Sequence, residues 1–140
     1  ATILVYVQSL LGALVGSRWA LHQCFAGYQL CDVMYSHIFG LIPPTVAILT
    51  VVFMAWRTPA LHPALRKLAN MAGGLLILQL IVGFATFRLQ VEPLTVSHQA
   101  IGATLLGILV VFTVLCLRDW VANRSFNAES NTETANPIPN

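Results

Sequence analysis

His37 and His98 are the residues of this chain best suited to chemistry. They sit near the same end of two long apolar segments, the second and the fourth of four. An ionisable side chain inside such a segment is costly unless it is paired or bound to something, and neutral imidazole is a common metal ligand. In a four-helix bundle with adjacent axes about 10 Å apart, the second and fourth helices face each other across a diagonal of about 14 Å. That gap is too wide for a direct histidine pair and suits two imidazoles with a metal macrocycle between them, the axial arrangement of a haem. The plainer alternative for either residue alone is an interfacial histidine bonded to a headgroup or a carbonyl.

The surroundings of the two histidines bear on the same question. Gly40 and Gly102 lie one turn beyond His37 and His98 and share their helix faces, so they remove bulk where a flat ring would lie; small residues also serve plain helix packing, as expected of Gly12 and Gly16. Pro43 and Pro44 remove two backbone donors and should kink the second helix about a turn past His37. Arg18 and Arg88 fall at the level of the histidines, where they would either pair with haem propionates or snorkel from a helix end. Cys24 and Cys31 share one loop, and an oxidising side of the membrane favours a disulfide over a redox-active dithiol. Cys116 has no partner in the pattern and is expected to be a buried thiol. Met34 reads as packing, and His22 and His62 as loop residues.

These side chains depend on the elements that carry them. The composition is 57% hydrophobic and 9% charged, with a mean hydropathy of +0.77. A soluble bundle of this length would carry roughly 25% charge and an apolar stripe on each helix, whereas these segments are apolar nearly all round. The first runs from Thr2 to Gly16 and is closed by Ser17 and Arg18; the others span residues 33–56, 68–87 and 95–117. Crossing a hydrocarbon core takes roughly 20 residues. The expected fold is therefore an all-α integral membrane protein: a four-helix transmembrane bundle over residues 1–119, up-down-up-down, with a disordered polar tail over residues 120–140.

Arg57, Arg66 and Lys67 lie between the second and third segments, and Arg118 and Arg124 follow the fourth, leaving Arg18 and Arg88 for the opposite side. Five cations against two place both termini in the cytoplasm and both histidines near the outer face. The net charge of +2 is small and spread along the chain, which gives no basis for nucleic-acid binding. The acids Asp32, Glu92, Asp119, Glu129 and Glu133 all lie at segment ends or in the tail. No proton-transfer carboxylate is therefore expected at membrane depth, which speaks against a stand-alone proton-coupled transporter. The chain opens at Ala1, almost inside an apolar run, and reads as a fragment of a longer protein.

The words LVYVQSLLGALVGSRWALHQC, MYSHIFG around His37 and VSHQAIGATLLG around His98, together with the Cys24 to Cys31 loop, resemble the C-terminal half of bacterial haem A synthase, from about Ile3 to Asp119. The resemblance implies an eight-crossing protein built as two similar four-helix halves, which oxidises a methyl group of haem O to the formyl group of haem A for cytochrome oxidase assembly. It maps the axial ligands of a haem b onto His37 and His98, and the family's loop cysteine pair onto Cys24 and Cys31. The substrate haem O, a second histidine pair and a nearby glutamate belong to the N-terminal half, to which nothing in these residues corresponds. The implied partners are that missing half, membrane lipid and the haem O synthase that supplies the substrate; this half alone should be inactive. A non-catalytic, cytochrome b-type electron-carrying membrane subunit would use the same diagonal histidines, and a scaffold without cofactor would use neither.

Overall fold

The computed structural model describes residues 1–16, 31–89 and 91–135, with side chains described for 1–16, 33–89 and 91–126. Helix α1 spans Thr2–Gly16, α2 Cys31–Gly40, α3 Ile42–Arg57, α4 Pro63–Leu89 and α5 Glu92–Ala135. No strand occurs among the described residues. Helices α2 and α3 form one span broken at Leu41, so the described residues build four rods.

Three of these rods are long and apolar enough to cross a membrane: Val33–Arg57, Pro63–Leu89 and Glu92–Phe126. Helix α1 is a shorter apolar helix.

Local chemistry sets the breaks. Pro43 and Pro44 occupy the first turn of α3, where a missing N–H leaves nothing unpaired, and the interruption falls one turn past His37 as the proline pair predicts. Thr58 ends α3 in an extended conformation, the backbone favoured before Pro59; its N–H and its hydroxyl both donate to the Met54 carbonyl, at 3.1 and 2.9 Å. Pro63 opens α4, and Nδ1 of His62 accepts from the Ala64 N–H at 3.3 Å, so His62 closes a turn.

Helix α5 is longer than the sequence reading expects. It continues through the residues assigned to a tail, as far as Ala135. Between Leu117 and Pro137 there is neither glycine nor proline, so nothing local stops a helix already propagating. The guanidinium of Arg124 lies 4.1 Å from the Trp120 ring centroid on this extension.

The rods pack as neighbours, α1 against α2 and α5, and α4 against α3 and α5. Their shared core consists of Val5, Ile48, Ala72, Leu76, Leu105 and Leu109, with Ile48 fully buried and Leu109 2% exposed. On α4 the inward positions Leu65, Ala69, Ala72 and Leu76 recur at intervals of three or four, the spacing of one helix face. Continuing that stripe leads to Gln79 and Gly83; tracing the α5 stripe back from Leu109 and Leu105 leads to Gly102 and His98. No polar or charged side chain is fully buried among the described residues. Polar contacts tie the helices away from the core, with the Thr2 and Thr113 hydroxyls 2.9 Å apart and Trp56 Nε1 donating to Asn70 Oδ1 at 2.7 Å. Cys116 is half-buried rather than buried, since a bundle of four rods leaves much of each helix uncovered.

Candidate functional site

His37 projects from α2 and His98 from α5, and their rings meet. The centroids are 6.4 Å apart and the planes are inclined at 89°. Both side chains are half-buried. The diagonal between their helices is bridged by the two imidazoles themselves.

Each ring rests on a glycine of the adjacent helix. A Cβ built on Gly12 would lie 2.9 Å from His37 Cε1, and one built on Gly83 would lie 2.8 Å from His98 Cε1; real Cβ atoms do not approach so closely, so any larger residue would displace the ring. Gly12 thus does more than the packing expected of it. Gly40 and Gly102 act differently from the sequence expectation. A Cβ on Gly40 would lie 2.8 Å from Gln8 Oε1, and one on Gly102 3.0 Å from Gln79 Nε2. These two glycines admit glutamine side chains.

The glutamines reach the imidazoles. Gln8 Nε2 lies 3.0 Å from His37 Nδ1 and donates to the His37 carbonyl oxygen at 2.6 Å. Gln79 Nε2 lies 3.3 Å from His98 Nε2. An amide nitrogen only donates, so the ring nitrogens it meets here accept, and His37 Nε2 and His98 Nδ1 carry the protons. One nitrogen of each ring is left over: no described residue bonds to His37 Nε2, and His98 Nδ1 is buried without a partner, as is Gln79 Oε1. Buried polar atoms in native structures are nearly always paired, and the His98 Nδ1–H lacks an acceptor among the described residues.

To hold a metal, the two imidazoles would have to present bare nitrogens to it, since an N–H offers no lone pair. With metal–imidazole bonds of about 2 Å, two rings on opposite sides of one ion have centroids roughly 6 Å apart, which matches the observed separation. Among the described residues no cluster of three or more His, Cys, Asp or Glu is present. Two imidazoles leave a bare zinc ion short of its usual three or four protein ligands but suffice for an iron whose other positions are filled by a porphyrin.

The remaining candidates stand apart from this pair. Arg88 is exposed at the end of α4, with its guanidinium 5.8 Å from the Phe84 ring centroid. Arg18 and Cys24 lie outside the described residues, as does the side chain of Cys31. A cleft of about 620 Å³ lined by Arg66, Lys67, Asn70 and Met71 lies at the opposite end of α4 from Gly83. Gln8, Gln79, Gly12 and Gly83 were not singled out by the sequence reading, although a signal existed: glutamine and glycine stand four residues apart in both the first and the third segment. No family model matches the chain, and neither a curated protein nor a solved structure matches it.

Proposed function

We propose that this chain is the haem b-binding half of a haem A synthase, embedded in a bacterial cell membrane with both termini cytoplasmic. The observation that carries the reading is the His37–His98 pair, with ring centroids 6.4 Å apart, glycine beneath each ring and, among the described residues, no hydrogen-bond partner on His98 Nδ1. His37 and His98 would hold the iron, and the bound haem would supply a one-electron couple inside the bundle. Gln8 and Gln79 orient the rings, and the core of Ile48, Leu76, Leu105 and Leu109 keeps water from the side facing the membrane centre.

An up-down order of the rods is supported by the residue pairs along neighbouring helices. Gly12 meets His37 while Gly40 meets Gln8, and Gly83 meets His98 while Gly102 meets Gln79, so each pair of helices runs in opposite directions. The cations at the α3–α4 connection and beyond the fourth crossing favour the cytoplasm for that end. The oxidation of haem O belongs, in this reading, to an N-terminal half that pairs with this chain, and a haem O synthase is the natural source of substrate.

The test is a reduced-minus-oxidised optical spectrum of the detergent-purified chain. A six-coordinate b-type spectrum is expected, and wild-type protein free of haem after expression in haem-replete cells would overturn the reading. Arg18 and Arg88 are assigned to the propionates. Replacing Arg88 with glutamine should then lower the haem midpoint potential, because a cation that disfavoured the extra positive charge of the oxidised iron is gone; an unchanged potential in a redox titration would return Arg88 to its place over Phe84.

A further inference from the structure

At the end of α4 away from the histidines lies the cleft of about 620 Å³, lined by Pro59 and Leu61 of the α3–α4 connection and by Arg66, Lys67, Asn70 and Met71 of α4. Its polar side chains offer donors. Arg66 Nη2 donates to the Thr58 carbonyl at 3.1 Å, which fixes the guanidinium, while Arg66 Nε is buried with no partner among the described residues. Asn70 Oδ1 accepts the Trp56 indole N–H at 2.7 Å; an indole nitrogen only donates, so the Asn70 oxygen is committed to it and the amide N–H groups are left over. The lining carries two cations and no carboxylate. Of the carboxylates whose side chains are described, Glu92 opens α5 beyond the far end of α4, and Asp119 is exposed and does not line the cleft. The first-turn amides of α4 are already spent, Ala64 on His62 Nδ1 and Leu65 and Arg66 on the His62 carbonyl at 3.0 and 3.2 Å. The attraction for an anion therefore comes from side chains and not from a helix end.

We propose that this cleft binds the phosphate of an anionic membrane lipid, with Arg66 and Lys67 opposing its charge and Asn70 donating to its oxygens. The inference is independent of the histidine pair.

Two lines of argument meet here. The first is chemical: a guanidinium held in place without a carboxylate partner suits a phosphate, which accepts charge-assisted hydrogen bonds from its fork, and basic pockets between membrane helices hold anionic headgroups. The second is depth, which selects a lipid over a soluble anion. Arg57 ends one span of membrane-crossing length and Pro63 begins the next, so the cleft lies where hydrocarbon gives way to headgroups. Trp56 is 66% exposed, and tryptophan favours the headgroup level. Met71, also exposed, stands one turn further along α4 than Lys67, so an acyl chain would find apolar surface beside the donors.

The experiment measures retention of phosphatidylglycerol, in competition with phosphatidylcholine, by native mass spectrometry of the purified full chain in detergent. The wild type is compared with Lys67→Gln, Arg66→Gln and Arg124→Gln, and should hold one phosphatidylglycerol in preference to phosphatidylcholine. Lys67→Gln should weaken that retention roughly fivefold, the weight of one basic residue at an anionic surface, and Arg66→Gln by more, since charge-assisted hydrogen bonds are lost as well. Lys67 is exposed, so its variant tests the cleft without disturbing the packing of α4. Arg124→Gln removes the same charge from the extension of α5, where the guanidinium lies over Trp120, and should retain lipid as the wild type does. Equal retention of the two lipids by the wild type, or equal losses in Lys67→Gln and Arg124→Gln, overturns the proposal. Full displacement of the lipid by an equal concentration of inorganic phosphate also overturns it and assigns the cleft to a soluble anion. The readout needs no haem, so its failure and the failure of the haem reading are distinguishable.

Discussion

Replacing His98 with alanine is expected to abolish the six-coordinate b-type spectrum and to reduce haem content by more than the roughly 10–100-fold that follows loss of a group merely supporting a ligand. On the proposed reading the substitution removes one of the two residues that would hold the iron; it also opens the space above Gly83 that the ring now fills, and leaves the Gln79 amide, whose oxygen is already unpartnered, with no imidazole to meet. His37→Ala should behave in the same way, because its ring lies 6.4 Å from His98 and the described residues hold no group of three or more metal-binding side chains to replace it. His62→Ala is the matched control. That imidazole accepts from the Ala64 N–H in the turn before α4, far from the pair, and its loss should leave the haem spectrum intact. Haem content is measured by the pyridine haemochrome assay on purified protein. Normal content in either His37→Ala or His98→Ala would remove that residue from the ligand set.

The histidine pair was legible in the sequence because an imidazole among apolar residues stands out, and the interruption of the second span was legible because Pro43 and Pro44 state it chemically. The contents of the site beyond the imidazoles were not. In a helix apolar nearly all round, hydropathy cannot tell an inward face from a lipid-facing one: Leu76 is 5% exposed and its neighbour Ile77 60%, yet both read alike. Gln8 and Gln79 therefore passed as isolated polar residues, and Gly12 as packing. What connects them is tertiary, since Gln8 meets His37 only when α1 and α2 pack, and Gln79 meets His98 only when α4 and α5 pack. The repeated glutamine–glycine spacing was present in the sequence, but its meaning depends on which face turns inward. The same limit explains the glycines after the histidines: sequence placed Gly40 and Gly102 on the correct face and assigned them to the macrocycle, where the structure gives them to the glutamines. The extension of α5 to Ala135 was hidden for another reason. Low hydrophobicity argues that a segment has little to bury, but a segment without glycine or proline that follows a long helix can stay helical.

The second large effect should come from Gly83, a position with no chemistry of its own. A Cβ there would lie 2.8 Å from His98 Cε1 and 3.2 Å from its Nδ1, so even alanine must push the ring, and leucine would take its place. The ring has little freedom to yield, with Gln79 on one nitrogen and the His37 ring centroid 6.4 Å away. Gly83→Leu is therefore expected to lose haem as completely as His98→Ala while the protein keeps its helical circular dichroism, because a leucine in a membrane helix satisfies both propensity and solvent. Gly83→Ala should be intermediate, retaining haem with an altered low-spin spectrum, and Gly12→Ala should do the same to His37, where the approach is 2.9 Å. Gly74 lies on the same helix as Gly83 with nothing within 4 Å of a built Cβ. Gly74→Ala should leave the spectrum unchanged and stabilise the helix by roughly 0.5–1 kcal/mol. This contrast separates steric control of the histidine from a general effect of glycine on the helix: equal haem loss in Gly74→Ala and Gly83→Ala would mean that backbone flexibility, and not the seat beneath His98, is what the site requires.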